Sequence, residues 1–188
     1  MEPEPGPPAQ PVVVVFTGLP GTGKSTMADR TAMHLGAPAF SGDWLMGSLK
    51  PAAAQLAQLG REAYSRLYHS VLGGLLTRQL LLGQSAVLDC LVTDDVADHW
   101  RSTAIAHGAA LKVVECVCSD VDLHRSRVEG RVRGIPGWHE IDWSHVERMR
   151  GEFPTLTGER LTLDAVGSPD SNFRSVCAYV LGAVGSSP

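Results

Sequence analysis

The stretch Val12-Val13-Val14-Val15-Phe16-Thr17-Gly18-Leu19-Pro20-Gly21-Thr22-Gly23-Lys24-Ser25-Thr26 decides how the chain is read. Its β-branched run predicts a buried strand and its glycines a tight loop. From Lys24 onward a helix is expected, because Met27, Ala28, Thr31, Ala32 and Leu35 recur at helical spacing. Residues 18–25 fit G-x-x-x-x-G-K-[ST], the phosphate-binding loop. A chain of this length meets that pattern by chance about 1% of the time or less. The glycines let successive N–H groups point into one concavity, and the helix adds its positive end to that nest. Lys24 can reach the β- and γ-phosphates, and the Ser25 hydroxyl can hold Mg²⁺. The expected nucleotide contacts are therefore Gly18, Leu19, Pro20, Gly21, Thr22, Gly23, Lys24, Ser25 and Thr26. Lys24, Lys50 and Lys112 are the only lysines, so one in this loop is not a random surface charge.

The 188 residues suit one domain with a sizeable core, expected over residues 12–188. The net charge of −4 supplies no broad field for nucleic acid. No apolar run is long enough to span a bilayer. Residues 1–11 are proline-rich and acidic, which reads as a disordered tail rather than a signal peptide. Cys90, Cys116, Cys118 and Cys177 lie in apolar stretches without a disulfide framework. Free thiols in a reducing, cytoplasmic setting are expected.

Further strands are predicted ending near Ser41, over residues 86–90, over 111–118 and over 160–164, with helices between them. Residues 62–82 form a long helix pattern ended by Gly83, and Gly73-Gly74 within it suggests close packing. Residues 51–60 read as either helix or connection. A helix after Ser119 or Asp120 is expected to carry His124, Arg125, Arg127, Arg131 and Arg133. Residues 124–153, flanked by glycines, suggest a hinged lid. Strands alternating with helices imply an α/β fold, a parallel sheet of about five strands covered on both faces.

Three constellations carry chemistry. Asp43 follows the second strand at the edge of the sheet where ligands bind. It can accept the proton of an attacking hydroxyl. Asp89 ends the apolar strand Val87-Leu88-Asp89 and can hold a Mg²⁺-bound water or orient a substrate. Asp43 is preferred as base and Asp89 as metal-side ligand, the reverse assignment staying open. Arg127 and Arg131, four apart, are expected on one helix face aimed at the phosphates. Trp44 beside Asp43, and Trp138 with His139, Glu140 and Trp143, can build an acceptor pocket or pack a lid shut.

Together, the loop, Asp43 after the second strand, Val87-Leu88-Asp89 and Arg127-x-x-x-Arg131 after the fourth resemble the small phosphate-binding-loop kinases. These include polynucleotide-kinase-like ATP-binding proteins, zeta-toxin-type kinases, chloramphenicol phosphotransferase, and gluconate and shikimate kinases. The resemblance implies that Asp43 acts as base, that Arg127 neighbours adenine and that Arg131 clamps the phosphates. Phe40-Ser41-Gly42-Asp43-Trp44-Leu45 is most similar to the chloramphenicol phosphotransferase pattern, and no shikimate-type D-x-D follows the second strand. The only asparagine is Asn172, so the N-K-x-D guanine motif is absent.

The leading expectation is an ATP- and Mg²⁺-dependent phosphotransferase acting on the hydroxyl of a small molecule such as a metabolite, nucleoside or antibiotic. A 5′-hydroxyl polynucleotide or tRNA kinase is the alternative, against which the acidic balance counts. A nucleotide-binding regulatory module without transfer chemistry is the further alternative.

Overall fold

A computed structural model describes residues 10–153 and 155–182. Most of the proline-rich tail lies outside those residues. The elements follow in the order β1 (Val12–Thr17), α1 (Lys24–Leu35), β2 (Ala39–Ser41) and α2 (Gly42–Ser48). A 3₁₀ turn (Lys50–Ala52), α3 (Ala53–Leu56), α4 (Arg61–Leu81), β3 (Ala86–Asp89) and α5 (Asp94–Ala106) come next. The chain ends through β4 (Ala110–Val117), α6 (Val121–Val128), α7 (Trp143–Glu152), β5 (Leu161–Asp164) and α8 (Pro169–Leu181).

The five strands form one sheet in the order β2-β3-β1-β4-β5, and every neighbouring pair is parallel. The expected α/β sheet with helices on both faces is what the chain adopts. β1 is central, and its alternation assigns the two faces. Val13 and Val15 pack with Leu72 and Leu76 of α4 and Trp100 of α5. Val12, Val14 and Phe16 pack with Met27 and Ala28 of α1 and Val176 of α8. Cys90 and Cys116 are buried in these layers, and all four cysteines are free.

Helix starts follow their caps. Thr93 accepts from the Val96 amide at 3.4 Å and Asp120 from the Leu123 amide at 2.9 Å. The Gly73-Gly74 pair divides its roles. A Cβ on Gly73 would stand 3.0 Å from the Trp100 indole nitrogen, whereas Gly74 has open space. Residues 51–60 resolve as the 3₁₀ turn, the short α3 and a bend.

One expectation about α6 is overturned. The helix stops at Val128 instead of running on to Arg133. Glu129 is extended and Gly130 takes φ +71°, so the chain leaves the helix there. Arg127 is helical, while Arg131 and Arg133 belong to the loop that follows.

The phosphate loop leaves β1 through Gly18, whose φ of +137° favours glycine. A Cβ there would meet the Cys116 carbonyl oxygen of β4 at 2.1 Å, a backbone group that cannot step aside. Gly18→Ala is expected to cost about 3 kcal/mol or more, combining strain and clash. A lowered denaturant midpoint in equilibrium unfolding checks this.

Candidate active site

Two cavities open at the carboxyl ends of β1 and β3, on either side of the phosphate loop. The first, about 510 Å³, is walled by residues 21–27, Arg127, Arg131 and Arg133, by Ala165 and Gly167 after β5, and by Trp44. Its lining carries four cations, Lys24, Arg127, Arg131 and Arg133, and no carboxylate. The second, about 390 Å³, is walled by Asp43, Asp89, Tyr64, Tyr68, Trp138 and Met149 among others. Lys24 lines both.

Lys24 begins α1 directly after Gly23 and is 8% exposed. Its ammonium lies 3.9 Å from an Asp89 carboxylate oxygen. At that separation the attraction is about 4 kcal/mol at an effective dielectric near 20. Desolvation of both groups offsets part of it. The same Asp89 oxygen, Oδ1, is buried and has no hydrogen-bond partner among the described residues. An orphaned carboxylate oxygen beside Lys24 is the type of ligand that Mg²⁺ takes, since that ion keeps waters and phosphate oxygens around one or two protein groups. No cluster of three or more His, Cys, Asp or Glu able to hold a metal exists among the described residues, so an all-protein cage is not what this site offers.

Asp43 sits in the first turn of α2, just past β2, and forms an ion pair with Arg133. Asp43 faces the second cavity and Arg133 the first, so this pair spans the two. Arg127 donates to the Ala165 carbonyl at 3.0 Å, which ties α6 to the loop after β5. Desolvation, and then the neighbouring Arg133 charge, lower the proton affinity of Arg131. Two guanidinium groups crowded together favour an anion between them. The two arginines thus reach one cavity, although through a loop rather than a shared helix face.

The sequence leaves Trp44 to an acceptor pocket or to lid packing. It is 55% exposed and lines the phosphate-loop cavity instead, because adjacent residues on α2 diverge by a helical step. Trp138 does reach the second cavity. It is carried there by a close approach of α2 and the residue 134–138 loop. A Cβ on Gly137 would lie 2.2 Å from the Gly47 carbonyl oxygen, and one on Gly47 would lie 2.5 Å from the Pro136 carbonyl oxygen.

Several neighbours of the site escaped the sequence reading. Tyr64 and Tyr68 belong to α4 and line the second cavity. Burial first, and then nearby acidic or thiol groups including Asp43, push both phenols up, so they stay protonated. His124 is only 1% exposed. Its Nε2–H donates to the Pro20 carbonyl of the phosphate loop at 2.7 Å. Its Nδ1 accepts from Arg150 of α7 at 3.3 Å, an assignment of the ring proton that both partners require. Trp143 meets the His124 ring edge-on at 5.2 Å. A histidine amid arginines gave no pattern from which this bridge could be read.

Burial, followed by the Arg150 and Arg127 charges, holds the His124 proton affinity below its ordinary 6.5, against the opposing Pro20 carbonyl. The unfolded chain therefore takes up this proton first as pH falls, and folding stability drops from about pH 6.5 until the folded ring also protonates. His124→Gln should lose about 1–3 kcal/mol at pH 7.5 through the unpaired Pro20 and Arg150 groups. Its deficit relative to the unaltered protein should shrink toward pH 5. Urea unfolding of both proteins across that range checks the sign.

With this geometry in place, comparison with known proteins places the chain. The AAA domain family matches residues 13–156. None of the curated proteins matches the chain in sequence. Among solved structures, an unliganded sugar kinase from Janibacter sp. HTCC2649 is similar at TM-score 0.68 and 18% identity, covering 95% of this chain and 99% of that one. A gluconokinase from Sinorhizobium meliloti 1021 is similar at TM-score 0.67 and 18% identity, covering 94% and 95%. Kti12 of Chaetomium thermophilum, in complex with ADP-AlF3, is similar at TM-score 0.67 and 17% identity, covering 93% and 100%. Identities this low speak for the fold alone. No described helix is long and apolar enough to cross a membrane.

Proposed function

The chain belongs to the AAA domain family, and from that premise we propose that it is an ATP-dependent kinase moving the γ-phosphoryl group to a hydroxyl of a small molecule. The observation that carries this reading is the position of Lys24, which lines both a cation-walled cavity beside the phosphate loop and a second cavity holding Asp43. A polyanion in the first and an alcohol in the second would meet at its ammonium.

In this reading the amides of residues 18–26 cradle the triphosphate and Lys24 bridges its outer phosphates. Arg127, fixed to Ala165, borders the nucleotide base and Arg131 neutralises the transferring group. Ser25 and Asp89 are the groups that would hold Mg²⁺, which supplies charge neutralisation on the phosphates when bound. Asp43 takes the proton of the acceptor hydroxyl. Residues 124–153 close over the site and exclude water, which otherwise competes as acceptor. The free cysteines suit a reducing cytoplasm.

A nucleotide-binding regulatory module remains the second reading, since Kti12 with ADP-AlF3 shares the fold. A second cavity bearing a carboxylate against Lys24 has no role in such a module. Transfer to nucleic-acid ends is disfavoured by the net charge of −4.

A screen of hydroxyl-bearing metabolites, nucleosides and antibiotics for acceptor-stimulated ADP release tests the proposal. Lys24→Ala should abolish turnover. Asp43→Asn should lower kcat by about 10²–10⁴-fold while calorimetric ATP binding persists. Acceptor-dependent turnover that is unchanged in both variants would sink the site assignment, and its absence with every acceptor favours the regulatory module.

A further inference from the structure

We infer that the second cavity takes an uncharged alcohol carrying a flat apolar ring, rather than a sugar, a sugar acid or a cationic alcohol. This rests on the kinase reading above and names its acceptor class.

The inference begins with charge. Five charged residues line the cavity, Lys24, Arg61, Asp43, Asp89 and Glu152. Each has an opposite partner. Lys24 faces Asp89 at 3.9 Å, Asp43 is held by Arg133, and Arg61 meets Glu152 at 2.9 Å. Each lysine and arginine of this wall faces a carboxylate, and of the carboxylates only Asp89 keeps an oxygen, Oδ1, without a hydrogen-bond partner. Recruiting one would strand its partner, which is costly away from water. Arg61 and Glu152 are mostly exposed at the rim, where their attraction is screened.

Polarity comes next. A polyol buries several hydroxyls, each needing a partner. Most of the surface this wall exposes is apolar, with Met46, Leu91, Val92, Ile141, Met149 and Phe153 among its residues, and the Trp138 indole N–H is one buried donor without a partner. His69 has already committed its Nε2 to the Leu91 carbonyl at 2.8 Å. Such a lining matches the apolar cavities with few polar groups that hold ring-bearing ligands, and about 390 Å³ lies at the small end of their range of about 300–1,000 Å³.

Shape completes it. The Trp138 and His139 rings lie 4.7 Å apart, and His139 and His145 6.1 Å apart, a run of ring faces along one side. Tyr64 and Tyr68 line the same cavity from α4, with Asp43 among the charges they feel. A flat ring stacks against such walls while its hydroxyl points to Asp43. The hydroxyl oxygen then bonds to the γ-phosphorus, the bond from that phosphorus to the β–γ bridging oxygen breaks, ADP leaves, and the proton passes to Asp43.

The experiment pairs binding with turnover. Tryptophol, 3-phenylpropan-1-ol, glucose, gluconate and choline are offered to the full chain with a non-hydrolysable ATP analogue and Mg²⁺. Affinities are read by equilibrium dialysis, and acceptor-stimulated ADP release is read with ATP. The two ring alcohols should bind at least about tenfold more tightly than the other three, and they should stimulate ADP release. Tyr64→Ser and Met149→Arg, on separate helices, should each weaken ring-alcohol binding about tenfold with ATP affinity retained. Melting curves identify a variant that has simply unfolded. Tighter binding of glucose, gluconate or choline overturns the inference, as does failure of the ring alcohols to bind. Ring alcohols that bind yet never become phosphorylated uphold the cavity's preference and overturn the kinase reading instead.

Discussion

The contact on which this molecule depends is the approach of the phosphate loop to β4, where Gly18 leaves no room for a Cβ against the Cys116 carbonyl. That approach lets the chain turn sharply after the central strand and begin α1 at Lys24. Everything functional is positioned from this turn. Lys24 emerges buried, between β1 and β3, with Asp89 at the end of the neighbouring strand. Had the loop swung wider, the ammonium would face solvent, and the two cavities would share no group.

The loop is also gripped from its outer side. His124 donates to Pro20, Arg150 donates to His124, and Trp143 with Val146 packs against Val128 and Leu19. Because Met149 and Phe153 lie in or beside the same α7 and line the second cavity, α7 touches both the loop and the acceptor side. Packed interiors transmit displacement well. A displacement of α7 would therefore reach Pro20 through His124.

Much of this was legible in the residues. The strand-loop-helix of residues 12–35 carried its own periodicity, and the alternation of Val13 and Val15 with Val14 and Phe16 was written into a run hydrophobic throughout, as a doubly covered strand requires. The capping candidates Ser119 and Asp120 placed α6 at its start. The end of α6 was missed because the arginine spacing suggested a helix face, while Gly130 was the stronger signal. The ion pair between Asp43 and Arg133 joins residues 90 positions apart, and no local pattern announces it. The place of Trp44 in the phosphate-loop cavity has the same origin. Which way a side chain leaves a short helix depends on tertiary packing, and α2 is set by the contact of Gly47 with residues 136–138.

The distribution of charge gives this acidic protein one strongly cationic cavity. The chain is net negative, yet the phosphate-loop cavity gathers Lys24, Arg127, Arg131 and Arg133 without a lining carboxylate. Low-dielectric walls focus that local field. The second cavity is balanced pair by pair. Its acids, Asp43 and Asp89, pair with Arg133 and Lys24, two of the cations that line the first. In the proposed kinase a triphosphate would be drawn to the cation-walled side of Lys24, and an acceptor in the second cavity would lie beside Asp43 across the same ammonium.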